Sequence, residues 1–555
     1  MGSRGDAGAP VRGAFFGGLG EIGCNMASVE VDGRIALIDV GLIFPDAEHY
    51  GIDLILPDWS GLRQRADDLH CVVITHGHED HMGALPFFLR EFPAVPIYST
   101  RLTLALLRAK LEEYPDVDAD LREVEAGERL ETGPFDIEFV SVCHSIPDGL
   151  ALAFHTPHGT ILHSGDFKLD PTPIDGRPTD LPHLAAIGDE GVALLLADST
   201  NADKPGHVPS ERSIGKTLRD VFASARGRII VTTFASHIHR VQQVIDAATA
   251  VGRKFCFVGR SMTRNMPIAR ELGYLHHGDG DLVDLGDLER LDRDAAVMIC
   301  TGSQGEPYAA LSLMAAGQHK QVQLEPGDTV VMASSVIPGN EAAISRSVNG
   351  LFRQGAEVVY KGIADVHVSG HAGADELKLL HSIVRPAAFV PVHGEYRHLV
   401  AHAKIAVDTG TPPESALVCE DGDTLLLEDG RVRRDQPFAP GRVYVDGLGV
   451  GDVGHAVLRD RERLSSEGIC VAVVVIDQHS RLAGEPQVVQ QGVIYEPEQS
   501  LLLDLAAKTL AEELTRPHQD GDPAVIRRTV SQTLGRFWRD QVGRRPVILP
   551  LLVET

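Results

Sequence analysis

Short apolar runs that end in polar turns mark residues 11–200. Val11–Phe16, Cys71–Ile74, Phe135–Val142 and Val192–Ala197 predict strands, and Leu150–His163 predicts a hairpin. Val29 and Val31 alternate with polar neighbours ahead of Asp32-Gly33, the signature of another hairpin, which continues to Asp39. Met82–Leu89 reads as a helix start and the periodic Leu102–Leu111 as a helix. From about Ser210 to Tyr360 the texture changes to strand–helix alternation. Strands are predicted at Ile229–Phe234, Lys254–Val258, Ala295–Thr301, Thr329–Ser334 and Glu357–Tyr360. Helices fall at Ser210–Arg226 (capped by Ser210, closed before Gly227), His237–Ala250, Thr263–Leu272, Tyr308–Gly317 and Glu341–Gln354. Such alternation implies a mostly parallel sheet with helices on both faces, an α/β domain in its own right. A helix at Ala374–Val384, a strand at Ala387–Val392 and a hairpin over Asp421–Arg434 follow. Arg442–Gly454 reads as a glycine-rich connector. The tail predicts strands at Ile469–Ile476, Val488–Val493 and Val547–Val553 with helices at Ser500–Leu514 and Ala524–Val542, a small α+β domain. The expected division is 1–209, an insert over 210–360, a return over 361–450, a linker over 451–465 and a C-terminal domain over 466–555.

The strand ends carry the chemistry. Thr75-His76-Gly77-His78-Glu79-Asp80-His81, directly after Cys71–Ile74, packs four potential metal ligands into six residues. An extended backbone points His76 and His78 the same way. The turn after them aims Asp80 and His81 at a second point. His144 follows the strand Phe135–Val142, Asp166 follows the hairpin, Asp198 closes Val192–Ala197, and His393 closes Ala387–Val392 beyond the insert. The ligands His76, His78, Asp80, His81, His144, Asp166 and His393 are too many for one tetrahedral ion and suit two. A carboxylate bridges two ions more readily than an imidazole, so Asp166 is the expected bridge. Two ions ~3.5–4 Å apart lower the pKa of water and polarise the group under attack. His371 and Asp198 form a candidate general acid with its orienting partner, and Asp80 counts with them as catalytic. Ser236-His237-Ile238-His239-Arg240 opens a helix and is a candidate anion site. Ordinary capping is the competing account.

Composition narrows the picture. The 555 residues are 43% hydrophobic and 23% charged, and no apolar run approaches a bilayer's thickness. The start, Met1–Gly8, lacks the apolar core of a signal peptide, so a cytoplasmic protein away from membranes is expected. Seven scattered cysteines, with no CxxC pair, predict buried thiols rather than disulfides. A net charge of −27 argues against non-specific nucleic-acid binding by the whole surface, though not against a local groove. In the tail, Arg527, Arg528, Arg536, Arg539, Arg544 and Arg545 either meet phosphates or line a solvated face. Gly18-Leu19-Gly20-Glu21-Ile22-Gly23 is a literal dinucleotide fingerprint. It is followed by strand–turn–strand and not by the helix that motif needs. Its glycines are better read as a loop beside the metal centre, with Asp39 at the same rim.

His76-x-His78-x-Asp80-His81 with His144, Asp166 and His393 resembles the metallo-β-lactamase superfamily. The insert, with Asp198, His371 and His393, looks like its β-CASP branch, in which a histidine at the last position is typical of members acting on RNA. Gly17–Asn25, Thr301–Pro307, Ser335–Glu341 and Pro391–Tyr396 together look like the bacterial ribonuclease J family. That resemblance implies an αββα sandwich with an inserted doubly wound α/β domain and a small α+β domain. It implies a two-metal ribonuclease combining 5′→3′ exonuclease action on 5′-monophosphate ends with endonuclease action. One ion would lie among His76, His78, His144 and Asp166, the other among Asp80, His81, Asp166 and His393. Zinc fits best, with Mn²⁺ or Mg²⁺ possible at the second position. Ser236, His237, Ser369 and His371 would line the phosphate region. Single-stranded RNA, a homodimer or homotetramer, and other RNA-decay proteins are the implied partners. The alternatives are a hydrolase of the same fold acting on DNA or a small ester, and a non-enzymatic RNA-binding scaffold.

Overall fold

The computed structural model describes residues 8–555 except 47, 307, 335–339, 448, 480, 495–498 and 517–521. Residues 1–7, Pro307 and Ser335–Gly339 of the stretches quoted above therefore lie outside the described residues. The chain divides into two compact units, Met1–Phe44 with Leu54–Val443, and Pro45–Asp53 with Tyr444–Thr555.

Two sheets stack face to face in the first unit. The eight-stranded sheet runs in the order Arg431–Arg434, Thr424–Glu428, Val11–Gly17, Met26–Val31, Arg34–Ile38, Leu69–Val73, Ile97–Ser99, Leu121–Glu123. The six-stranded sheet runs Ala388–Val392, Val192–Asp198, Thr160–His163, Gly149–Phe154, Phe135–Val142, Arg129–Thr132. Period-two alternation sorts the side chains. Ile38, Val73, Phe139, Leu152, Leu196 and Val390 point into the shared core. Val140, Ala153, Leu195 and Phe389 point the other way, against Leu184, Leu377, Leu380 and Ile405 of the helices Leu181–Glu190, Ala374–Val384 and Tyr396–Asp408. On the first sheet, Leu37, Val72 and Ile97 face outward and are buried, as are Phe88, Leu104 and Leu107 of the helices Leu85–Glu91 and Arg101–Leu111. This is the αββα sandwich. The strand Ala388–Val392 pairs in parallel with Val192–Asp198, so a segment that follows the insert completes the second sheet.

The insert is an all-parallel five-stranded sheet in the order Lys254–Val258, Ala296–Cys300, Ile229–Thr232, Thr329–Met332, Glu357–Val359. Its first helix ends earlier than expected. Ser210 caps a 3₁₀ turn, Glu211–Ser213, and the α-helix runs Ile214–Ser224, with Ala225 extended and Gly227 beyond the end.

The second unit corrects two expectations. The glycine-rich stretch read as a connector contains an antiparallel strand pair, Arg442–Asp446 with Gly449–Val450. Residues 451–465, read as a linker, lie largely in a 13-residue helix, His455–Glu467. Four nearby glycines suggested flexibility, but the segment behind them is rich in helix-forming Arg, Glu and Leu. Pro45–Asp53, expected with the first domain, joins this unit because Asp53 N donates to Val445 O at 2.8 Å and Gly447 N to the Asp53 carboxylate at 2.8 Å. The tail sheet runs Gln487–Gln491, Ile469–Ile476, Val547–Glu554, with Val530, Leu534 and Trp538 of the helix Pro523–Val542 in its core. Arg527, Arg528, Arg536, Arg539, Arg544 and Arg545 are exposed.

Candidate metal centre

Apolar strands deliver polar residues to one rim of the sandwich. Leu69–Val73 ends and the chain passes through Thr75–Gly77 into a one-turn helix, Glu79–Met82. Asp80 and His81 thus sit on a helical turn while His76 and His78 precede it, His78 on extended backbone, which separates their aims. That turn needs Gly41: a Cβ there would lie 1.7 Å from the Asp80 carbonyl oxygen. His144, Asp166, Asp198 and His393 arrive from the ends of four strands of the second sheet. His393 holds φ +54 and Asp39 φ +60, the left-handed region that side chains such as these enter at functional turns.

All seven expected ligands converge. In the first set His76 Nε2 lies 3.0 Å from His78 Nδ1, and His144 Nε2 3.2 Å from the same atom. The Oδ2 atom of Asp166 is 3.7 Å from both His76 Nε2 and His144 Nε2. In the second set His81 Nε2 is 3.2 Å from Asp166 Oδ2 and 3.6 Å from Asp80 Oδ2. His393 Nε2 is 3.2 Å from Asp80 Oδ2 and 3.6 Å from Asp166 Oδ2. Ligands bound at ~2.1 Å around a tetrahedral ion stand about 3.4 Å apart. Both sets match that spacing, and the same oxygen of Asp166 belongs to each. Their donors, imidazole nitrogen and carboxylate oxygen, are those of zinc-type sites.

The far nitrogens fix the tautomers. His81 Nδ1 is 2.7 Å from Asp39 Oδ2, so it carries the proton and leaves Nε2 as a donor lone pair. His144 Nδ1 donates to the Gly370 carbonyl at 2.9 Å. A Cβ on Gly370 would come within 2.8 Å of the His144 ring. His393 Nδ1 is 2.6 Å from Thr200 Oγ1, and His76 Nδ1 is 3.0 Å from Thr75 Oγ1. The Asn25 side chain lies 3.2 Å from His81 Nε2 and donates to the Asp80 carbonyl at 3.0 Å. The glycine loop does lie at this rim: Gly18 O accepts from His393 N at 3.0 Å, and Leu19–Gly20 pairs with Gly394–Glu395. Thr75, Thr200, Asn25 and the Gly370 carbonyl did not come from the sequence reading. The one local signal for the three side chains is a polar residue near a strand end.

His371 Nδ1 is 2.8 Å from Asp198 Oδ2, and a third His/Asp grouping joins these two to Asp166 and His393. Burial opposes charge on Asp198, but the adjacent His371 outweighs it and holds the carboxyl well below its usual range. Ser369 Oγ accepts from His371 N at 3.2 Å and from Asn201 Nδ2 at 2.8 Å, which places it beside His371.

Ser236 and His237 are not tied to this cluster by any hydrogen bond among the described residues. His237 Nδ1 accepts from Arg240 N at 3.3 Å, so the ring caps its own helix. Burial, then the Arg240 guanidinium, hold this histidine well below its ordinary pKa. Arg240 is fully buried and bonded to Glu211 and to the carbonyls of Ala333 and Val366. The cation expected at this helix start is therefore part of the core.

Comparison with known proteins accounts for nearly the whole chain. Residues 19–208 match the metallo-beta-lactamase superfamily, 226–351 the ribonuclease J beta-CASP domain, 355–415 the Zn-dependent metallo-hydrolase RNA specificity domain, and 456–555 the ribonuclease J C-terminal domain. Ribonuclease J of Mycolicibacterium smegmatis is 44% identical over 541 residues, covering 97% of this chain and 96% of that one. Ribonuclease J of Thermus thermophilus is 42% identical over 552 residues (97% and 94%), and ribonuclease J2 of Bacillus subtilis 38% over 548 (98% and 98%). A crystal structure of a protein of unknown function from Enterococcus faecalis shares the fold, with a TM-score of 0.52 at 15% identity over 79% of this chain and all of that one. With this coverage and identity, and with the rim that its strand ends build, the chain belongs to the ribonuclease J family of metal-dependent RNA-cleaving hydrolases.

Proposed function

We propose that the rim hydrolyses RNA phosphodiester bonds with two divalent ions. His76, His78, His144 and Asp166 would hold one ion, and Asp80, His81, Asp166 and His393 the other. The observation that carries this reading is the membership of one oxygen, Asp166 Oδ2, in both ligand sets. When bound, the ions supply Lewis acidity that makes water a nucleophile near neutral pH and polarises a phosphoryl oxygen. The chain's own groups do the rest. Asp198 accepts the Nδ1 proton of His371, which leaves Nε2 as a lone pair; Nε2 would take a proton from the attacking water and, as imidazolium, return it to the departing oxygen. Ser369 accepts two hydrogen bonds on its oxygen, so its hydroxyl proton is available to a phosphate oxygen.

The activity is read as 5′→3′ exonucleolytic on 5′-monophosphate ends together with endonucleolytic cleavage, on single-stranded RNA, by a homodimer or homotetramer working with other RNA-decay proteins. Family membership supports it. Zinc suits the imidazole-rich set, and Mn²⁺ or Mg²⁺ the oxygen-richer one. The test is product analysis on one long RNA carrying a 5′-monophosphate, a 5′-triphosphate or no free end, with matched DNA as competitor and metal content measured on the same sample. Mononucleotide release from the monophosphate form, internal cuts in the circular form, and loss of both on chelation are expected. Equal cleavage of DNA, or cleavage that survives chelation, would overturn it.

A further inference from the structure

Two histidine-bearing helices and the Asp198–Thr200 turn meet beneath the rim, away from the two ligand sets. His402, on the helix Tyr396–Asp408, and His381, on Ala374–Val384, are both buried, with Nε2 atoms 3.2 Å apart. His402 Nδ1 is 2.9 Å from Ser199 Oγ. Ser199 stands between Asp198, which holds His371, and Thr200, whose Oγ1 is 2.6 Å from His393 Nδ1.

One arrangement of protons satisfies every bond. Ser199 Oγ–H donates to the Ala197 carbonyl at 3.1 Å. The Ser199 oxygen must then accept from His402 Nδ1–H. That leaves His402 Nε2 unprotonated, so it accepts from His381 Nε2–H. The chain of donors ends at His381 Nδ1, which is buried and has no hydrogen-bond partner among the described residues. Phe389 packs against both rings, with centroids 4.5 and 4.6 Å away. Its surroundings are apolar, including Leu377, Leu380, Ile405 and Ala406. A purely packing role would be served better by leucine or phenylalanine at both positions, since burying a polar ring in such a core is costly unless its bonds are needed.

The two helices also begin where the site ends. His371 stands three positions before the start of Ala374–Val384, and His393 three positions before the start of Tyr396–Asp408. We infer that Ser199, His402 and His381 form a positioning bridge that locks the Asp198–Thr200 turn to both helices, and so fixes His371 and His393 relative to each other. This rests on the two-ion reading of the rim. The bridge residues touch neither ion nor substrate; they act through the residues that do.

The test uses the full chain with its metal restored. His402→Leu is expected to lower kcat on RNA about 10–100-fold with KM within about twofold, and to weaken one of the two ions in a competing-chelator titration. His402→Asn, which returns an amide N–H near the Nδ1 position, is expected to restore kcat to within about threefold. Ser199→Ala removes the acceptor without changing a ring, and covers the case in which His402→Leu fails to fold. Combining Ser199→Ala with His402→Leu is expected to cost no more than the worse single change, because both cut the same bridge. Wild-type kcat and metal affinity in Ser199→Ala, or full additivity of the two changes, would overturn the bridge. The chelator titration needs no RNA, so loss of the ribonuclease reading and loss of the bridge give different results.

Discussion

The two ligand sets share Asp166 but differ in what stands behind them. Behind His76, His78 and His144 the supporting groups are neutral: the Thr75 hydroxyl, the Ser145 hydroxyl and the Gly370 carbonyl. Behind His81 and His393 stand the carboxylates of Asp39 and Asp198, at 2.7 and 3.6 Å, and Asp80 is itself a member of that set. Protonation follows. Burial pushes His78 down to about 4 and holds His76 and His144 well below their ordinary range. In the second set burial works the same way, but Asp166 and the other carboxylates outweigh it and lift His81 well up and His393 to about 10. The first set is built for neutral imidazoles, and the second gathers negative charge around a place for a cation. Two neighbouring sets of histidine and aspartate thus make unlike positions, and the difference lies partly in one ligand, Asp80, and partly in the residues that stand behind the ligands.

The largest test is the shared oxygen. Asp166→Ala is expected to empty both positions and to lower RNA hydrolysis at least about 10³-fold, since Lewis-acid stabilisation worth several kcal/mol goes with the ions. Metal per chain, measured by elemental analysis beside the rate, gives the answer. Retention of one ion at full occupancy would mean that the sets do not share this ligand and that the comparison is drawn in the wrong place.

A smaller and more pointed test removes one carboxylate behind the second set. Asp39→Asn keeps the shape and takes away the charge that holds His81. Outer partners of this kind are worth about 10–100-fold in metal affinity. The second position is expected to weaken by that much while the first stays within a few-fold. Equal weakening at both positions would erase the distinction drawn between neutral and anionic backing.

The ligands were legible in the sequence because strand ends advertise themselves: a short apolar run stops, and a histidine or aspartate follows. His76, His144, Asp166 and His393 all show that pattern. The grouping into two sets needed the resemblance as well as the residues, because nothing in spacing alone assigns His144 to one point and His393 to another. What stands behind the ligands was mostly illegible. Thr200 meets His393 across 193 positions of chain, and His144 meets a main-chain carbonyl 226 residues away, which has no side chain to read. Asp39 was placed at the rim but not on His81. Arg240 shows the opposite error. Beside two histidines at a helix start it read as a ligand for anions, yet the cost of an unpaired buried charge is met by Glu211, 29 residues earlier. The helix His455–Glu467 was hidden by the glycines before it, whose local signal outweighed a charged segment with good helix propensity.

The smallest expected effect comes from a residue that serves both sets. Thr75 Oγ1 is 2.9 Å from Asp39 Oδ2, 3.0 Å from His76 Nδ1 and 3.4 Å from His81 Nδ1. A hydroxyl has one proton, and the carboxylate takes it. The oxygen is then the acceptor for His76 Nδ1–H. Thr75→Val fills the same volume without the hydroxyl and leaves that N–H unpaired in a fully buried place. An unsatisfied buried donor costs about 1–3 kcal/mol, which denaturant unfolding of the metal-depleted chain reads directly. Because Thr75 stands behind a ligand of each set, both positions are expected to weaken by a few-fold together. Thr200→Val, by contrast, removes a hydroxyl that meets one ligand, His393, and the Asp198 carboxylate behind it, and is expected to weaken only the second. A Thr75→Val chain that lost affinity at one position and kept it at the other would show that the hydroxyl belongs to that set's support alone, and the boundary between neutral and anionic backing would have to move to include or exclude it.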